Sequence, residues 1–391
     1  MRILYSAIDQ VVPGTKGGST HVTAVAGGLA ALGHEMHVLV TPGAGVPPRG
    51  VDWIPMAPPL GANQLRWMRS APVRHLVDRL KPDVIMERYY NFGGEAILHA
   101  RSVGARAVLE VNAPVIDHPG SAKGLIDRAL IVRPMQRWRE RLCAAADIIV
   151  TPNAAILPPG TPPSRVLEIE WGADTERFRP AREERPSAGS LAREAGSHAT
   201  LDFTPPPGIV AVFAGAFRTW HGAIHLARAI RQLRERGNHR ISALFIGYGP
   251  ELPAVRSEAA GLDGIVFTGA LRHERMPAAL AAAHIGVAPF DIGVHKPLSL
   301  GFYWSPLKMF EYMASGLPVV APSVARIPRL IEHEREGLLY DPRDDGALAH
   351  ALEQLTNDEL RKRLGAGARE RAVREYSWRA HCEALDRRLR A

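Results

Sequence analysis

The stretch IVAVFAGAFRTWHGAIHLARAIRQLRERGNHRISALFIGYGP, residues 209–250, holds one full period of the pattern that decides the fold. IVAVFAGA is an apolar run that stops at glycine, as a strand buried on both faces does. AIHLARAIRQLRERG, residues 223–237, reads as a helix ending at Gly237. ISALFIGYGP is again an apolar run closed by glycine. A strand, a helix of this length and a second strand form a βαβ unit, whose strands must run parallel because a crossover helix separates them.

The alternation continues through GIVFTGA, the helix MPAALAAAH, IGVAPF, a helix within FYWSPLKMFEYMASG and the strand LPVVAP. The first half carries the same pattern. MRILYSAI is a strand, THVTAVAGGLAALGH a helix and EMHVLVTP a strand. PDVIMERYY, a helix over GEAILHARSVG, the strand ARAVLEVNAP, a basic helix and ADIIVTPN follow. Between the halves, residues 179–208 are rich in Pro, Ala, Ser and charge and lack an apolar pattern, which reads as a linker. The expected organisation is α/β, with two Rossmann-like doubly wound domains facing a cleft. The first domain covers 1–178 and the second 209–375. Residues 376–391 form a C-terminal helix that packs back on the first domain. Such folds bind ligand outside the carboxyl ends of the strands.

Bulk composition narrows the function. The chain has 391 residues, 46% apolar and 23% charged, enough for two ordinary domains. Two cysteines, Cys143 and Cys382, make neither a disulfide framework nor a metal cluster. MRILYSAIDQ reads as a strand rather than a secretion signal, and no apolar run is long enough to span a bilayer. These features predict a cytoplasmic protein. The net charge of +8 comes without a nucleic-acid module, so no nucleic-acid partner is expected. The segment RALIVRPMQRWRER, residues 128–141, mixes five arginines with Leu130, Ile131, Met135 and Trp138. It fits either a solvated helix face or peripheral contact with the inner face of a membrane.

The candidate site residues lie at strand ends and at one helix mouth. In FYWSPLKMFEYMASGLPVVAP, residues 302–322, Ser305 and Pro306 read as a helix start. Leu307, Phe310 and Ala314 form the buried stripe, and Lys308 and Glu311 share the other face. A helix N-terminus beside a lysine is an anion site, and a carboxylate one turn on can accept from vicinal hydroxyls. Alone, the segment reads first as an ordinary capped helix with a surface ion pair. Gly17 and Gly18, after the first strand, allow close backbone approach to a ligand or simply make a turn capped by Ser19 or Thr20. Gly215 and Gly247 end strands of the second half. Arg218 stands where a planar fork could meet a phosphate, or is a plain loop cation. In the first half, MERYYN and EVNAPVIDH place Arg88, Tyr89, Asn112, Asp117 and His118 at strand ends, as acceptor contacts or as loop hydrogen-bonding groups. No nucleophile elbow, Walker loop or zincin helix is present.

Together the stretches GGSTHVTAVAGGLAALGHEMHVLV, WGADTERFRP, FAGAFRTWHG, FIGYGPEL and SPLKMFEYMASGLPVVAPSVARIPRLIEHEREGLLYDPRD resemble a family 4 glycosyltransferase (group 1) of the GT-B fold. They cover nearly the whole chain in the family's order, the linker excepted. The resemblance implies transfer of a sugar from a nucleotide diphosphate sugar to a hydroxyl acceptor, with retention of configuration and without metal or cofactor. The product would be a polysaccharide, glycolipid or glycosylated metabolite, and the acceptor a sugar, a lipid-linked group or a small molecule. It implies that Arg218 and Lys308 hold the diphosphate and that Glu311 binds the ribose hydroxyls. Gly17, Gly18, Gly215, Gly247, Tyr303, Ser305, Pro306 and Leu307 would complete the donor site. Asn112 and His118 would act in catalysis, with Arg88 and Tyr89 beside them on the acceptor side. The chain departs from the family in three places. Tyr303 stands where the first of two spaced glutamates is usual, leaving Asp291 as a substitute. His221 replaces a lysine, and Asn112 falls near the place of a first-domain histidine. A nucleotide-sugar epimerase, an inverting enzyme or a non-catalytic sugar-nucleotide-binding subunit would share most of these residues.

Overall fold

The computed structural model describes residues 1–14, 16–118, 120–180 and 201–391. Of the linker expected at 179–208, residues 181–200 lie outside the described residues. The chain divides into two compact units. The first comprises Met1–Trp171, Tyr303–Ser305 and Trp378–Ala391, and the second Gly172–Phe302 and Pro306–Ser377.

The first unit is a seven-stranded sheet built from β1 (Arg2–Val12), β2 (Glu35–Pro42), β3 (Asp52–Pro55), β4 (Val84–Arg88), β5 (Arg106–Glu110), β6 (Ile148–Thr151) and β7 (Val166–Glu168). The order is β3-β2-β1-β4-β5-β6-β7, with every pairing parallel. Helix α1 (Gly17–Ala31) buries Val22, Val25 and Leu29 on one face of the sheet. The C-terminal helix Trp378–Arg390 adds Cys382, Leu385 and Leu389 to that same core. Helix α2 (Ser70–Leu80) places Val73, Leu76 and Val77 in the core that covers the other face.

Two helices expected in this unit differ in detail. Over 94–104 only a 3₁₀ turn, Ile97–Val103, forms. Gly94 has φ +101°, and the buried Glu87 carboxylate accepts from the N–H groups of Gly94, Ala96 and Ile97, which holds the chain out of the α conformation. The basic segment is two helices, α3 (Ala122–Ala129) and α4 (Pro134–Ala145), joined by a turn that ends in Arg133 at φ +44°.

The second unit is a six-stranded parallel sheet of β8 (Ile209–Ala214), β9 (Ile241–Ile246), β10 (Ile265–Gly269), β11 (Ile285–Val287), β12 (Val319–Pro322) and β13 (Gly337–Tyr340), in the order β10-β9-β8-β11-β12-β13. Its pairings are parallel throughout. The helix Ala223–Glu235 buries Leu226, Ile230 and Leu233 on this sheet, as the alternation in 209–250 requires. Strand order reverses between β8 and β11, so the loops after these strands diverge there and leave a crevice.

Candidate functional site

The loop after β8 carries most of the candidate residues of the second unit. Gly215 has φ +142° and Gly247, after β9, has φ +131°. A side-chain carbon on Gly247 would collide with the Gly215 carbonyl oxygen, so the end of β9 can approach the end of β8 only as glycine. A carbon on Gly215 would lie 3.1 Å from Lys308 Nζ. Lys308 therefore reaches back from the helix Leu307–Ala314 to the end of β8.

That helix differs in three ways from the sequence expectation. Its first residue is Leu307, with Pro306 in the capping position and no side-chain cap. Ser305 does not cap it. The Ser305 hydroxyl donates to Glu170 Oε2 at 2.6 Å and accepts from the Trp171 N–H at 2.9 Å, all within the first unit. Tyr303 likewise packs against the first unit's core. Leu307 is half-buried, and the fully covered residues are Met309, Phe310, Tyr312, Met313 and Ala314. The Tyr312 hydroxyl accepts from the Ala214 N–H at 2.7 Å and so ties the helix to β8.

Lys308 was expected to face solvent, but its ammonium is buried and has no hydrogen-bond partner among the described residues. It lies over the rings of Phe213, 4.2 Å from the centroid, and Phe290, at 5.1 Å. Burial pulls its pKa from 10.5 down to about 7, with the Glu311 charge acting in the opposite sense. Beside it, burial and then the Lys308 charge lower the pKa of His221 to about 3. His221 Nδ1 lies 2.5 Å from the Ala216 carbonyl, which can only accept. The ring therefore donates from Nδ1 and keeps a lone pair on Nε2 that no described residue engages. Arg218 is exposed, 5.7 Å from the Trp220 ring, and has no acidic partner among the described residues. Glu311 Oε1 meets His273 Nε2 at 3.0 Å. The first turn of Leu307–Ala314 contains no acidic residue, so its free N–H groups meet no carboxylate from their own turn. The end of β8 thus gathers glycine backbone, Lys308 and His221, with Arg218 on the same loop and the Glu311–His273 pair one turn along the helix from Lys308. Such a group can hold an anion and accept hydroxyl hydrogens.

In the first unit, Arg88 and Tyr89 are buried rather than open to an acceptor. Arg88 pairs with Glu110 at 2.8 Å and lies 3.6 Å from Asp9, so its charge is spent inside the unit. Asn112 Nδ2 donates to Glu110, and Asn112 Oδ1 accepts from Trp171 Nε1 at 2.9 Å. Asp117 pairs with Arg139 at 2.6 Å, while His118 is half-buried on the same loop. Gly17 is the first residue of α1, whose capping residue is Lys16 rather than Ser19 or Thr20. A side chain on Gly18 would run into Gln10.

Sequence reasoning missed the centre of this cluster. His21, on the inner face of α1, brings Nε2 to 2.6 Å from Glu110 Oε1 and stacks on Trp171 at 4.3 Å. Burial alone would raise the Glu110 pKa, but His21 and Arg88 hold it well below the usual carboxylate range. Burial lowers that of His21. Periodicity marks His21 as inward-facing, yet nothing local announces the carboxylate it meets. His273, the partner of Glu311, was missed for the same reason.

Two parallel, Rossmann-like units are the architecture of GT-B glycosyltransferases, whose solved structures this chain matches in fold. The known relatives agree. Residues 15–158 match the family described as Glycosyltransferase Family 4, and residues 208–358 match Glycosyl transferases group 1. Each match covers less than half of the chain, and together they make its two halves similar to two families of glycosyltransferase domains. The chain is 30% identical over 227 residues to a D-inositol 3-phosphate glycosyltransferase of Salinispora tropica, covering 55% of this chain and 44% of that one. It is 28% identical over 320 residues to the sulfoquinovosyl transferase SQD2 of Arabidopsis thaliana, covering 78% of this chain and 56% of that one. The chain thus spans about half the length of these relatives. A glycosyltransferase from Rickettsia africae ESF-5 shares the fold with a TM-score of 0.70 at 15% identity, covering 100% of this chain and 97% of that one.

Proposed function

We propose that this chain transfers a glycosyl group from a nucleotide diphosphate sugar to a hydroxyl acceptor, with retention of configuration and without a metal. The observation that carries this reading is the Lys308 ammonium, buried at the end of β8 without a hydrogen-bond partner among the described residues, with exposed Arg218 on the loop that follows. A buried cation without a partner is costly, and an anionic ligand removes that cost. In the reaction the bond from the sugar's anomeric carbon to the diphosphate breaks and the bond to the acceptor oxygen forms. Negative charge grows on the leaving diphosphate, where the two cations stabilise it in place of a divalent ion. The departing phosphate takes the acceptor proton. Glu311, oriented by His273, accepts from the ribose hydroxyls. Of the relatives named above, the D-inositol 3-phosphate glycosyltransferase supports a small hydroxyl-bearing acceptor, and the sulfoquinovosyl transferase supports transfer of a sugar-type group.

The test is acceptor-dependent release of nucleoside diphosphate by the purified chain, screened over UDP, GDP, ADP and TDP sugars, with NMR of the product anomer. Nucleotide binding without release would leave a binding subunit. An inverted product would remove retention.

A further inference from the structure

Thirteen large apolar side chains are well exposed among the described residues, and five of them fall within residues 125–132. Leu125, Ile126, Leu130 and Val132 are at least half exposed, and Ile131 is 92% exposed. The other eight are spread along the chain, as is ordinary for a soluble surface. Five on the end of α3 and the turn after it make a contiguous patch, and such patches mark interaction sites.

The turn is held in shape. Asp127 is buried and accepts from the N–H groups of Met135 at 2.8 Å and Gln136 at 2.9 Å, capping α4. Ser121 caps α3. Trp138 and Arg139, which sequence grouped with the basic face, turn inward. Trp138 donates to the Gly93 carbonyl at 2.9 Å, and Arg139 pairs with Asp117. The outward residues are therefore the apolar tip and the cations around it. Lys123, Arg128, Arg133 and Arg137 are exposed, and none forms a close ion pair among the described residues. Arg141 adds a fifth exposed cation, against the single exposed acid Glu140.

We infer that this knuckle docks on an anionic lipid surface. Its apolar tip enters the boundary between headgroups and acyl chains, and the arginines meet lipid phosphates. The charge decides the occupant: an apolar tip ringed by unpaired cations complements a negatively charged interface. The inference is independent of the glycosyl-transfer reading, since no residue of the second unit takes part.

The experiment is co-sedimentation of the full-length chain with phosphatidylcholine vesicles and with vesicles containing about a third phosphatidylglycerol. The wild-type chain partitions onto the anionic vesicles at low salt, and more weakly as salt rises. Arg133→Glu with Arg137→Glu lowers partition by about fivefold or more per residue. Ile131→Glu lowers it at least tenfold while leaving the melting temperature and nucleotide binding unchanged. Equal partition onto neutral and anionic vesicles, or full binding by Ile131→Glu, overturns the inference. So does dimerisation of the wild-type chain that Ile131→Glu abolishes without vesicle binding, which would make the knuckle a contact between copies.

Discussion

If the Lys308 ammonium is the phosphate-binding cation, binding must be coupled to proton uptake. In the free chain its pKa lies at about 7 because burial disfavours the charge. A bound diphosphate supplies the opposite charge and restores the pKa towards the ordinary value of 10.5. Above pH 7 the free chain must therefore take up close to one proton per nucleotide bound. Affinity falls by nearly a factor of ten per pH unit until the bound-state pKa is reached. With pKa values of about 7 free and about 10 bound, the loss between pH 7 and pH 9 is about 50-fold, or ~2 kcal/mol. The free protein shows the complementary trend. A lysine whose pKa is depressed on folding costs stability below the folded value, and the cost fades as pH rises from about 7 to 10.5. Titration calorimetry of UDP and GDP, repeated in buffers of different ionisation enthalpy, measures both affinity and proton uptake. In Lys308→Met the pH dependence should vanish along with most of the affinity. A wild-type affinity that stays flat from pH 7 to pH 9, with no buffer-dependent heat, would refute the coupling.

Arg218→Ala should lower single-turnover rates about 10²–10³-fold with the fold intact. The double variant with Lys308→Met should lose less than the product of the single losses, because two cations on one diphosphate act as a unit. Glu311→Ala should weaken nucleotide binding by roughly 1.5–3 kcal/mol, read by calorimetry, with little change in melting temperature. His273→Ala should give a smaller loss of the same kind, since it removes only the partner that orients the carboxylate. Turnover should survive EDTA, and abolition of activity with rescue by magnesium or manganese would count against the metal-free reading.

Much of the framework was legible because strands buried on both faces leave an unmistakable trace. The runs at 209–214 and 241–246 became β8 and β9, and the glycines that end them are required by the geometry. Where reading failed, the cause was a partner distant in sequence. Ser305 looked like a helix cap because serine before proline is a local signal. Its hydroxyl is instead taken by Glu170, 135 residues away. The helix expected at 94–104 is pre-empted by the Glu87 carboxylate, which offers the same N–H groups a better acceptor. Lys308 looked solvent-facing because a lysine opposite an apolar stripe usually is. Only the Phe213 and Phe290 rings, from two other loops or strands of the unit, reveal where it points.

The strongest argument for a binding role comes from comparing the buried cations with one another. Arg66 is fully buried, and its guanidinium meets Glu95 at 2.5 Å and Asp9 at 3.1 Å. Arg88 is buried against Glu110. Both follow the rule that a charge taken out of water needs a counter-charge at hand. The fold therefore pairs cations where they serve packing. Lys308 breaks that rule although a carboxylate lies one turn along its own helix, because Glu311 is turned to His273 instead. A cation buried for stability alone would have been paired or replaced by an apolar residue of the same length. One left without an acceptor among the described residues, and set against a glycine-ended strand, is what the proposed anion site requires. The same logic explains the neutral His221 alongside it. A second fixed charge there would raise the cost of the empty site, whereas a neutral ring with a free lone pair can accept from a ligand hydroxyl without adding to that cost.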